Sequence, residues 1–309
     1  MAKILSIALN PAIDISSDAA RVRHTHKTRT HNQRQFPGGG GVNVAQVIAE
    51  LGGRPDLICL SGGATGKLLE QMLAELAIEL FIVPIGDPVR IAFTVHEEET
   101  DLEYRFVPEG PLVTPEELEP VFDLVARSPA EYIVASGSLP RGVPIDTYAR
   151  LAHIAETKGA RFIIDTSGDA LKVTLSTAKV FLMKPSLGEL EAFVGRKLDH
   201  QSAGAAAHEI VSSGAAQYVT VTLGNDGALL ASADGVLRVA AIDVPVYSAV
   251  GAGDTFVAAL SWSLSEGYTI EDAFRFGVAA GAAAVTTAGS DLCARADIFR
   301  LYETVRATA

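Results

Sequence analysis

The residues around position 250 combine an anion-binding turn with a proton acceptor. Gly251, Ala252 and Gly253 stand directly before Asp254, and an apolar run, FVAAL, follows. If a helix begins here, successive backbone N–H groups can point to one anion, and the helix dipole strengthens the attraction. A helix cap is the alternative role for Asp254. Val257 occupies the position where a capping box carries Glu or Gln, which weakens the capping box but leaves a simple Asp cap open beside a catalytic base.

A second glycine-rich segment points to another ligand contact. Four consecutive glycines, Gly38–Gly41, lead into an amphipathic run with Asn43 near its start. Glycine lets the backbone approach a ligand closely, and a helix N-terminus offers free N–H donors. A flexible turn is the alternative, but ordering four glycines costs entropy that an ordinary turn avoids. Asp14, which follows Asn10 and Pro11, is predicted either to accept hydrogen bonds from sugar hydroxyls or to form a turn.

Four cations lie in two polar segments. Lys27 and Arg29 belong to a basic run, residues 21–35, whose alternation is typical of a strand and would place both on one face. Arg90 and Arg105 belong to the second segment. Together they suit the phosphate group of a small ligand. A solvated edge strand protected by charge is an equally good interpretation of the spacing.

Two further segments suggest a nucleotide site. Lys184, after a predicted strand, could reach nucleotide phosphates, and Glu189 could hold a hydrated Mg²⁺. The alternative is a helix start, because Ser186 and Glu189 have the spacing of a capping box. Residues 222–230 read as strand, glycine-containing turn and strand, which fits either a plain hairpin or a loop at a nucleotide's edge.

The elements that must position these residues alternate between short apolar runs and amphipathic runs. The runs KILSIAL, DLICL, EYIVASGS, RFIIDTS, KVFLMKPS and YVTVTLG predict buried strands. The helical patterns between them are GVNVAQVIAELGG, GKLLEQMLAELA, TPEELEPVFDLVARS, PIDTYARLAHIAETKGA and GAAAHEIVSSG. This alternation predicts an α/β fold with a doubly wound, mostly parallel sheet. Ligands bind such sheets beyond the carboxyl ends of the strands, where the polar strand endings fall.

Residues 12–36 and 88–108 interrupt the alternation and predict a small β lid, paired in space from two distant segments. No repeat or linker divides the rest, so residues 1–309 are predicted to form one domain with that lid. The net charge of −12 disfavours nucleic acid or an anionic membrane as the main partner. Two cysteines without metal-ligand spacing predict a reduced, cytoplasmic protein.

The segments PGGGGVNVA and VGAGDTF together resemble the two signatures of the PfkB (ribokinase-like) carbohydrate kinase family. LNPAID, SGSLPRGVP, KPSLGEL and FGVAAGAAA match in the same order, so the resemblance covers essentially the whole chain. Within the family the chain is most similar to the phosphosugar branch, which contains 6-phosphofructokinases, 1-phosphofructokinases and tagatose-6-phosphate kinases. The family fold is the doubly wound sheet with a β lid.

The resemblance implies a role for each matching position. Asp254 would be the catalytic base, with Gly251, Ala252 and Gly253 as the anion hole. The sugar phosphate would contact Asp14, Lys27, Arg29, Gly38, Gly39, Asn43, Arg90, Arg105 and Ser138. The nucleotide would contact Lys184, Ser186, Thr222, Gly224 and Gly227. Glu189 would hold Mg²⁺ through water, and Ser248 with Val250 would hold a monovalent cation such as K⁺. The family commonly has Asn where this chain has Ser186, a side chain of shorter reach.

The expected activity is therefore ATP- and Mg²⁺-dependent phosphorylation of a ketohexose phosphate, with fructose 6-phosphate as the first candidate and its 1-hydroxyl as the acceptor. Tagatose 6-phosphate and fructose 1-phosphate are the alternative substrates. A non-catalytic sugar-phosphate-binding regulator is the alternative from another functional class. The resemblance also implies a homodimer formed through the lids.

Overall fold

The computed structural model describes residues 2–287 and 291–307. Its strands, numbered in chain order, are β1 (Ile4–Ala8), β2 (Ala12–Ala19), β3 (His31–Gly38), β4 (Asp56–Ser61), β5 (Glu79–Pro84), β6 (Arg90–Glu97), β7 (Leu102–Phe106), β8 (Tyr132–Ser136), β9 (Arg161–Asp165), β10 (Val180–Met183), β11 (Ala216–Thr222), β12 (Ala228–Ser232) and β13 (Gly235–Val239). The helices are α1 (Gly40–Glu50), α2 (Gly63–Ala74), α3 (Pro115–Arg127), α4 (Thr147–Thr157), α5 (Gly168–Thr177), α6 (Leu187–Val194), α7 (His200–Ser212), α8 (Ala252–Ser265), α9 (Ile270–Ala284) and α10 (Arg295–Ala307).

Nine strands form the large sheet, in the order β13-β12-β11-β10-β9-β8-β1-β4-β5. Neighbouring strands from β11 to β5 run parallel, and β12 and β13 extend the edge antiparallel. Every residue of β1, β4 and β8 is buried. Such near-continuous apolar strands need a helical layer on each face, because a parallel sheet is stable only when both faces are covered.

The helices supply those two layers. One face of the sheet packs on a core cluster that includes Leu118 of α3, Leu151 of α4 and Leu190 of α6. The other face packs on a cluster that includes Val44 of α1 and Phe274 of α9. The prediction of a doubly wound α/β fold is confirmed. The architecture brings the carboxyl ends of β1, β8, β9 and β10 to one edge, beside the N-termini of α1 and α8.

The small sheet, called the lid sheet below, has the order β3-β2-β6-β7. Its two central strands, β2 and β6, come from the two separate polar segments and pair in parallel along their whole length. Alternation along the strands gives the sheet one polar face, with Asp14, Arg90 and Arg105, and one apolar face, with Phe93 and Phe106.

The basic run does not form the strand expected from its alternation. Strand β3 begins only at His31, and residues 21–30 are irregular. Lys27 and Arg29 therefore lie in an exposed loop between β2 and β3, not on one strand face. Alternation was a poor guide here because the segment lacks the apolar partners that hold a strand against a core.

Two further observations on the described residues concern the cysteines and the length of the helices. Cys59 and Cys293 are both free thiols and both buried. Burial raises the pKa of Cys59 to about 12 and that of Cys293 to about 11, so neither is a reactive thiolate. No helix within residues 2–287 and 291–307 has the length and apolar character needed to cross a bilayer.

Candidate active site

Asp254 is the third residue of α8 and does not cap it. The helix begins at Ala252, and its N-cap is Gly251, whose φ of 73° lies in the left-handed region that glycine tolerates. The Asp254 carboxylate turns away from the helix end. Its Oδ2 accepts a hydrogen bond of 2.8 Å from Asn43 Nδ2, and its Oδ1 accepts one of 3.2 Å from Ser136 Oγ. The capping alternative is wrong.

The amide groups of this turn remain available to a ligand. Among the described residues, no acceptor faces the N–H groups of Gly251, Gly253 or Asp254, whereas Ala252 donates to the Ala249 carbonyl at 3.4 Å. A helix N-terminus leaves such donors unpaired, and together with the helix dipole they attract an anion. The turn could hold a phosphate, with Asp254 itself supplying one of the donors.

Sequence reasoning missed a second carboxylate beside Asp254. Ser136 Oγ also lies 3.4 Å from Asp165 Oδ2, and Asp165 forms an ion pair of 3.1 Å with Lys184 Nζ. Both partners of the pair are nearly buried, at 13% and 5% side-chain exposure. Ser136 and Asp165 end β8 and β9, so their position at polar strand endings was the signal that could have identified them.

Burial and charge act in opposite directions on this pair. Burial raises the pKa of Asp165 to about 6, opposed by Lys184 and reinforced by the neighbouring Asp254. For Lys184, burial alone would lower the pKa, but Asp165, Glu189 and Asp254 together raise it above its ordinary value. The ammonium group is therefore held charged next to the turn that precedes Asp254.

A cavity of about 590 Å³ opens in front of these groups. Its walls combine polar residues near Asp254 with apolar residues of the 241–249 segment and α9, among them Ile242, Val246 and Val278. It contains every residue predicted to contact a nucleotide, namely Lys184, Ser186, Thr222, Gly224 and Gly227, together with Glu189. A site with a phosphate-sized polar end and an apolar wall suits a nucleotide.

The capping alternative for Ser186 and Glu189 is present in the structure. Ser186 is the N-cap of α6; its Oγ accepts from the Glu189 N–H at 3.3 Å, and its own N–H donates to Glu189 Oε2 at 2.7 Å. Both side chains nevertheless line the cavity. The hairpin alternative for residues 222–230 is likewise present, because β11 and β12 pair antiparallel around Gly224–Asp226.

The Gly38–Gly41 turn is packed against the ends of β1, β2 and β8. A Cβ on Gly38 would lie 2.2 Å from Asp14 Oδ2, and one on Gly40 would lie 2.3 Å from Ser136 Oγ. The glycines thus let α1 bring Asn43 to Asp254 while Asp14 lies alongside. Burial raises the pKa of Asp14, opposed by Arg105 and Arg90 and reinforced by Asp254.

Arg90 and Ser138 meet around Asn10, a buried residue that the sequence analysis did not assign to the site. Arg90 Nη2 donates to the Asn10 carbonyl at 2.9 Å, and Asn10 Nδ2 donates to Ser138 Oγ at 3.0 Å. Arg90 also donates to the Pro108 carbonyl. The structure therefore brings together Asp14, Arg90 and Ser138, and none of the three lines the cavity.

Of the remaining predicted residues, one lines the cavity, two lie in an exposed loop and one is buried near the catalytic turn. Arg105 on β7 lines the cavity. Lys27 and Arg29 are exposed, and neither forms an ion pair or side-chain hydrogen bond within the described residues. Ser248 is buried; its Oγ donates to Glu103 Oε2 at 3.2 Å and accepts from the Val250 N–H at 3.2 Å.

Comparison with known proteins adds independent information. A family model described as pfkB family carbohydrate kinase matches residues 1–297. The chain is 41% identical over 304 residues to the ATP-dependent 6-phosphofructokinase isozyme 2 of Mycobacterium tuberculosis, covering 97% of this chain and 89% of that protein. It is 37% identical over 304 residues to the isozyme 2 of Escherichia coli K12, covering 98% of each.

Solved structures of phosphofructokinase-2 from E. coli share the fold. The structure in complex with potassium matches with a TM-score of 0.94 at 36% identity, over 99% of this chain and all of that one. The complex with fructose 6-phosphate and a tetrameric inhibited form each match with a TM-score of 0.93, with the same identity and coverage.

Proposed function

Because this chain belongs to the pfkB family of carbohydrate kinases, we propose that it is an ATP-dependent 6-phosphofructokinase. It transfers the γ-phosphoryl group of ATP to the 1-hydroxyl of fructose 6-phosphate and gives fructose 1,6-bisphosphate and ADP. The relatives at 37–41% identity are named 6-phosphofructokinases, so tagatose 6-phosphate and fructose 1-phosphate are not favoured as substrates. The observation that carries the proposal is the Asp254 carboxylate, held by Asn43 and Ser136 at the open end of α8.

Asp254 takes the proton of the sugar's 1-hydroxyl as that oxygen attacks the γ-phosphorus. A new O–P bond forms while the bond from the γ-phosphorus to the β-γ bridging oxygen breaks, and ADP leaves with that oxygen. Asn43 and Ser136 fix one carboxylate oxygen each, so the base is oriented before the substrate arrives. Proton transfer by a positioned base contributes about 10²–10⁴-fold to such rates.

The free N–H groups of Gly251, Gly253 and Asp254 and the ammonium group of Lys184 supply positive potential where the transferring group gains charge. Lys184 Nζ would lie only 3.3 Å from a Cβ on Gly253, so the cation is adjacent to the turn. Donors fixed in advance need no reorganisation during the reaction and therefore favour the transition state.

The donor set near Glu189 fits a magnesium ion that the nucleotide carries. Within the described residues, no cluster of His, Cys, Asp or Glu could enclose a metal. One Glu189 oxygen is engaged by the capping box, and Mg²⁺ in kinases is bound mainly by phosphates and water with few protein oxygens. Glu189 would hold the ion through water, and the ion would neutralise charge on the β- and γ-phosphates.

Arg90, Ser138 and Arg105 are proposed to bind the 6-phosphate of the sugar, and Asp14 with Gly38 and Gly39 its hydroxyls. Lys27 and Arg29, in the exposed loop of the lid sheet, are proposed as additional cations for that phosphate. The net charge of −12 repels an anionic substrate, so these cations must capture it locally. Substrate affinity is therefore expected to weaken with salt.

The lid sheet is proposed to exclude water from the site and to join two subunits into a homodimer. Its apolar face exposes Phe93, Leu102 and Phe106 at 45%, 56% and 58%, an unusual exposure for large apolar side chains. A second copy of the same face would cover them. Sedimentation at several concentrations tests this, and Phe106→Ser should favour the monomer.

Two further assignments complete the proposal. The loop at Ser248 and Val250 is proposed to bind K⁺, since the E. coli relative has been solved with potassium. The enzyme is proposed to act in the cytoplasm, where ATP is available and the two free thiols would stay reduced.

The test is a coupled ADP-release assay with fructose 6-phosphate, tagatose 6-phosphate and fructose 1-phosphate, run beside Asp254→Asn. We expect the highest kcat/KM with fructose 6-phosphate and a large loss of kcat in Asp254→Asn. A higher kcat/KM with another sugar would reassign the substrate. Binding without any turnover would indicate a regulator instead of an enzyme.

A further inference from the structure

We propose that Glu103 is a positioning residue that couples the lid sheet to the turn that carries the catalytic base. The proposal rests on the proposed function, because it assigns a role within the same site. It starts from the hydrogen bond of 3.2 Å between Ser248 Oγ and Glu103 Oε2, which joins β7 to the segment that enters α8.

The Ser248 end of this contact is rigidly tied to the catalytic turn. Ser248 is 4% exposed, and its Oγ accepts the Val250 N–H at 3.2 Å, one residue before the N-cap Gly251. The backbone N–H groups of Tyr247 and Ser248 both donate to the Val285 carbonyl at the end of α9, at 2.8 and 3.4 Å. Glu103 therefore accepts the one hydrogen that the Ser248 hydroxyl can donate, and it holds that hydroxyl in the orientation that receives Val250.

The other end is tied to the substrate side of the lid sheet. Glu103 and Arg105 stand two residues apart on β7, so both project from its polar face. Arg105 lines the cavity and interacts electrostatically with Asp14. An anion bound by Arg105 would hold β7 against the site and so keep Glu103 on Ser248.

The consequence is energetic coupling between the two substrates. If sugar-phosphate binding holds β7 in place, it also orders the turn that receives the nucleotide phosphates. By linkage, each ligand must then raise the affinity for the other by the same factor. Removing the Glu103 contact should abolish this coupling while leaving the binding of each ligand alone nearly unchanged.

The experiment measures the affinity of the intact protein for AMP-PNP with Mg²⁺, by titration calorimetry, with and without saturating fructose 6-phosphate. We expect the sugar phosphate to tighten AMP-PNP binding by about 5-fold or more in the unchanged protein. In Glu103→Ala the factor should fall below about 2, and Glu103→Gln, which keeps an acceptor oxygen, should restore most of it. Glu99→Ala is the matched control, because Glu99 is a lid acid paired with Arg21.

A double-mutant cycle of Glu103→Ala with Ser248→Ala tests whether Glu103 acts through Ser248. If Glu103 acts through Ser248, the two substitutions together should reduce the coupling no more than either alone. Coupling that is absent in the unchanged protein, that survives in Glu103→Ala, or that is lost equally in Glu99→Ala overturns the proposal. The outcome is separable from that of the proposed function, since the phosphofructokinase assay on the unchanged protein is read independently.

Discussion

The two glycine-rich turns of this protein look alike in sequence and differ in structure. In the Gly38–Gly41 turn, a Cβ on Gly41 would lie 2.2 Å from the Ile7 carbonyl oxygen, and the turn is pressed against its surroundings. In the Gly251–Gly253 turn, a Cβ on Gly251 would have nothing within 4 Å, and one on Gly253 would face only the end of the Lys184 side chain. The first turn is packed and the second is open.

Glycine therefore serves this site in two ways. In the packed turn it permits close approach between elements, which places Asn43 beside Asp254 and Asp14 beside Gly38. In the open turn it leaves backbone donors accessible to a ligand. The packed turn should therefore control stability, and the open turn should control turnover.

The largest expected effect concerns the base of the open turn. Asp254→Asn should lower kcat by about 10²–10⁴-fold, because the amide cannot accept the hydroxyl proton. Its stability to urea should stay nearly unchanged, since the amide can keep the contact with Asn43. Steady-state kinetics and equilibrium unfolding measure the two quantities. Asp243→Asn, an exposed aspartate in the preceding segment, is the control, and near-full activity of Asp254→Asn would contradict the assignment.

Substituting glycines in each turn tests the comparison directly. Gly41→Ala should destabilise the fold by roughly 1–3 kcal/mol or more, because backbone surrounds the added methyl group. Gly253→Ala should fold with almost normal stability and lose about 10–100-fold in kcat, because the methyl group displaces Lys184 and narrows the phosphate site. The contrast between the two turns is contradicted if Gly41→Ala keeps its stability, or if Gly253→Ala is strongly destabilised while its kcat is unchanged.

A third prediction separates the sugar-phosphate end from both turns. Lys27→Ala combined with Arg90→Ala should raise KM for fructose 6-phosphate by about 10–100-fold, because the variant loses charge-assisted hydrogen bonds to the phosphate. For free fructose KM should change far less. Arg23→Ala, in the same exposed loop as Lys27, serves as the control. Equal effects on both sugars would place the phosphate pocket elsewhere.

The smallest expected effect is the pH dependence that Asp165 gives to stability. Its pKa in the folded protein, about 6, exceeds the ordinary value of 3.8, so the folded state binds the proton more tightly. Stability from this group is fully present below pH 3.8 and is lost as the pH rises through 6. Between pH 5 and 7, the stability of the unchanged protein should fall by about 1 kcal/mol relative to Asp165→Asn. Urea unfolding of both proteins measures the difference, and a constant difference would refute it.

The sequence predicted the frame of this molecule and the main members of the site. Apolar runs identified β1, β4 and β8 to β11, because parallel strands buried on both faces have a continuous pattern. Two elements were not identified from the sequence, strand β5 and helix α5. The residues of β5 are mostly half-buried or exposed, and α5 is rich in Thr and Ser. Partial burial weakens the periodic signal of β5, and in α5 the buried face includes the polar residue Thr174.

Contacts between distant segments were beyond the reach of the sequence. The glycine motifs located Asp254 and Asn43, but their hydrogen bond joins residues 211 positions apart. Asp165 lay at the end of a predicted strand, yet only the fold shows that it pairs with Lys184 beside the base. In the structure, Lys27 and Arg29 lie in a loop and not on the predicted strand. Their roles in binding remain predictions.

The lid sheet is assembled from two stretches of chain that are separated by α1, β4, α2 and β5. Its parallel pair, β2 with β6, joins residues that lie more than 70 positions apart. Such non-local pairing forms late in folding, because a long loop must close before the strands gain any contact. Asp14 comes from the first stretch, and Arg90 and Arg105 come from the second. During refolding, binding of the sugar phosphate should therefore appear only after β2 and β6 have paired.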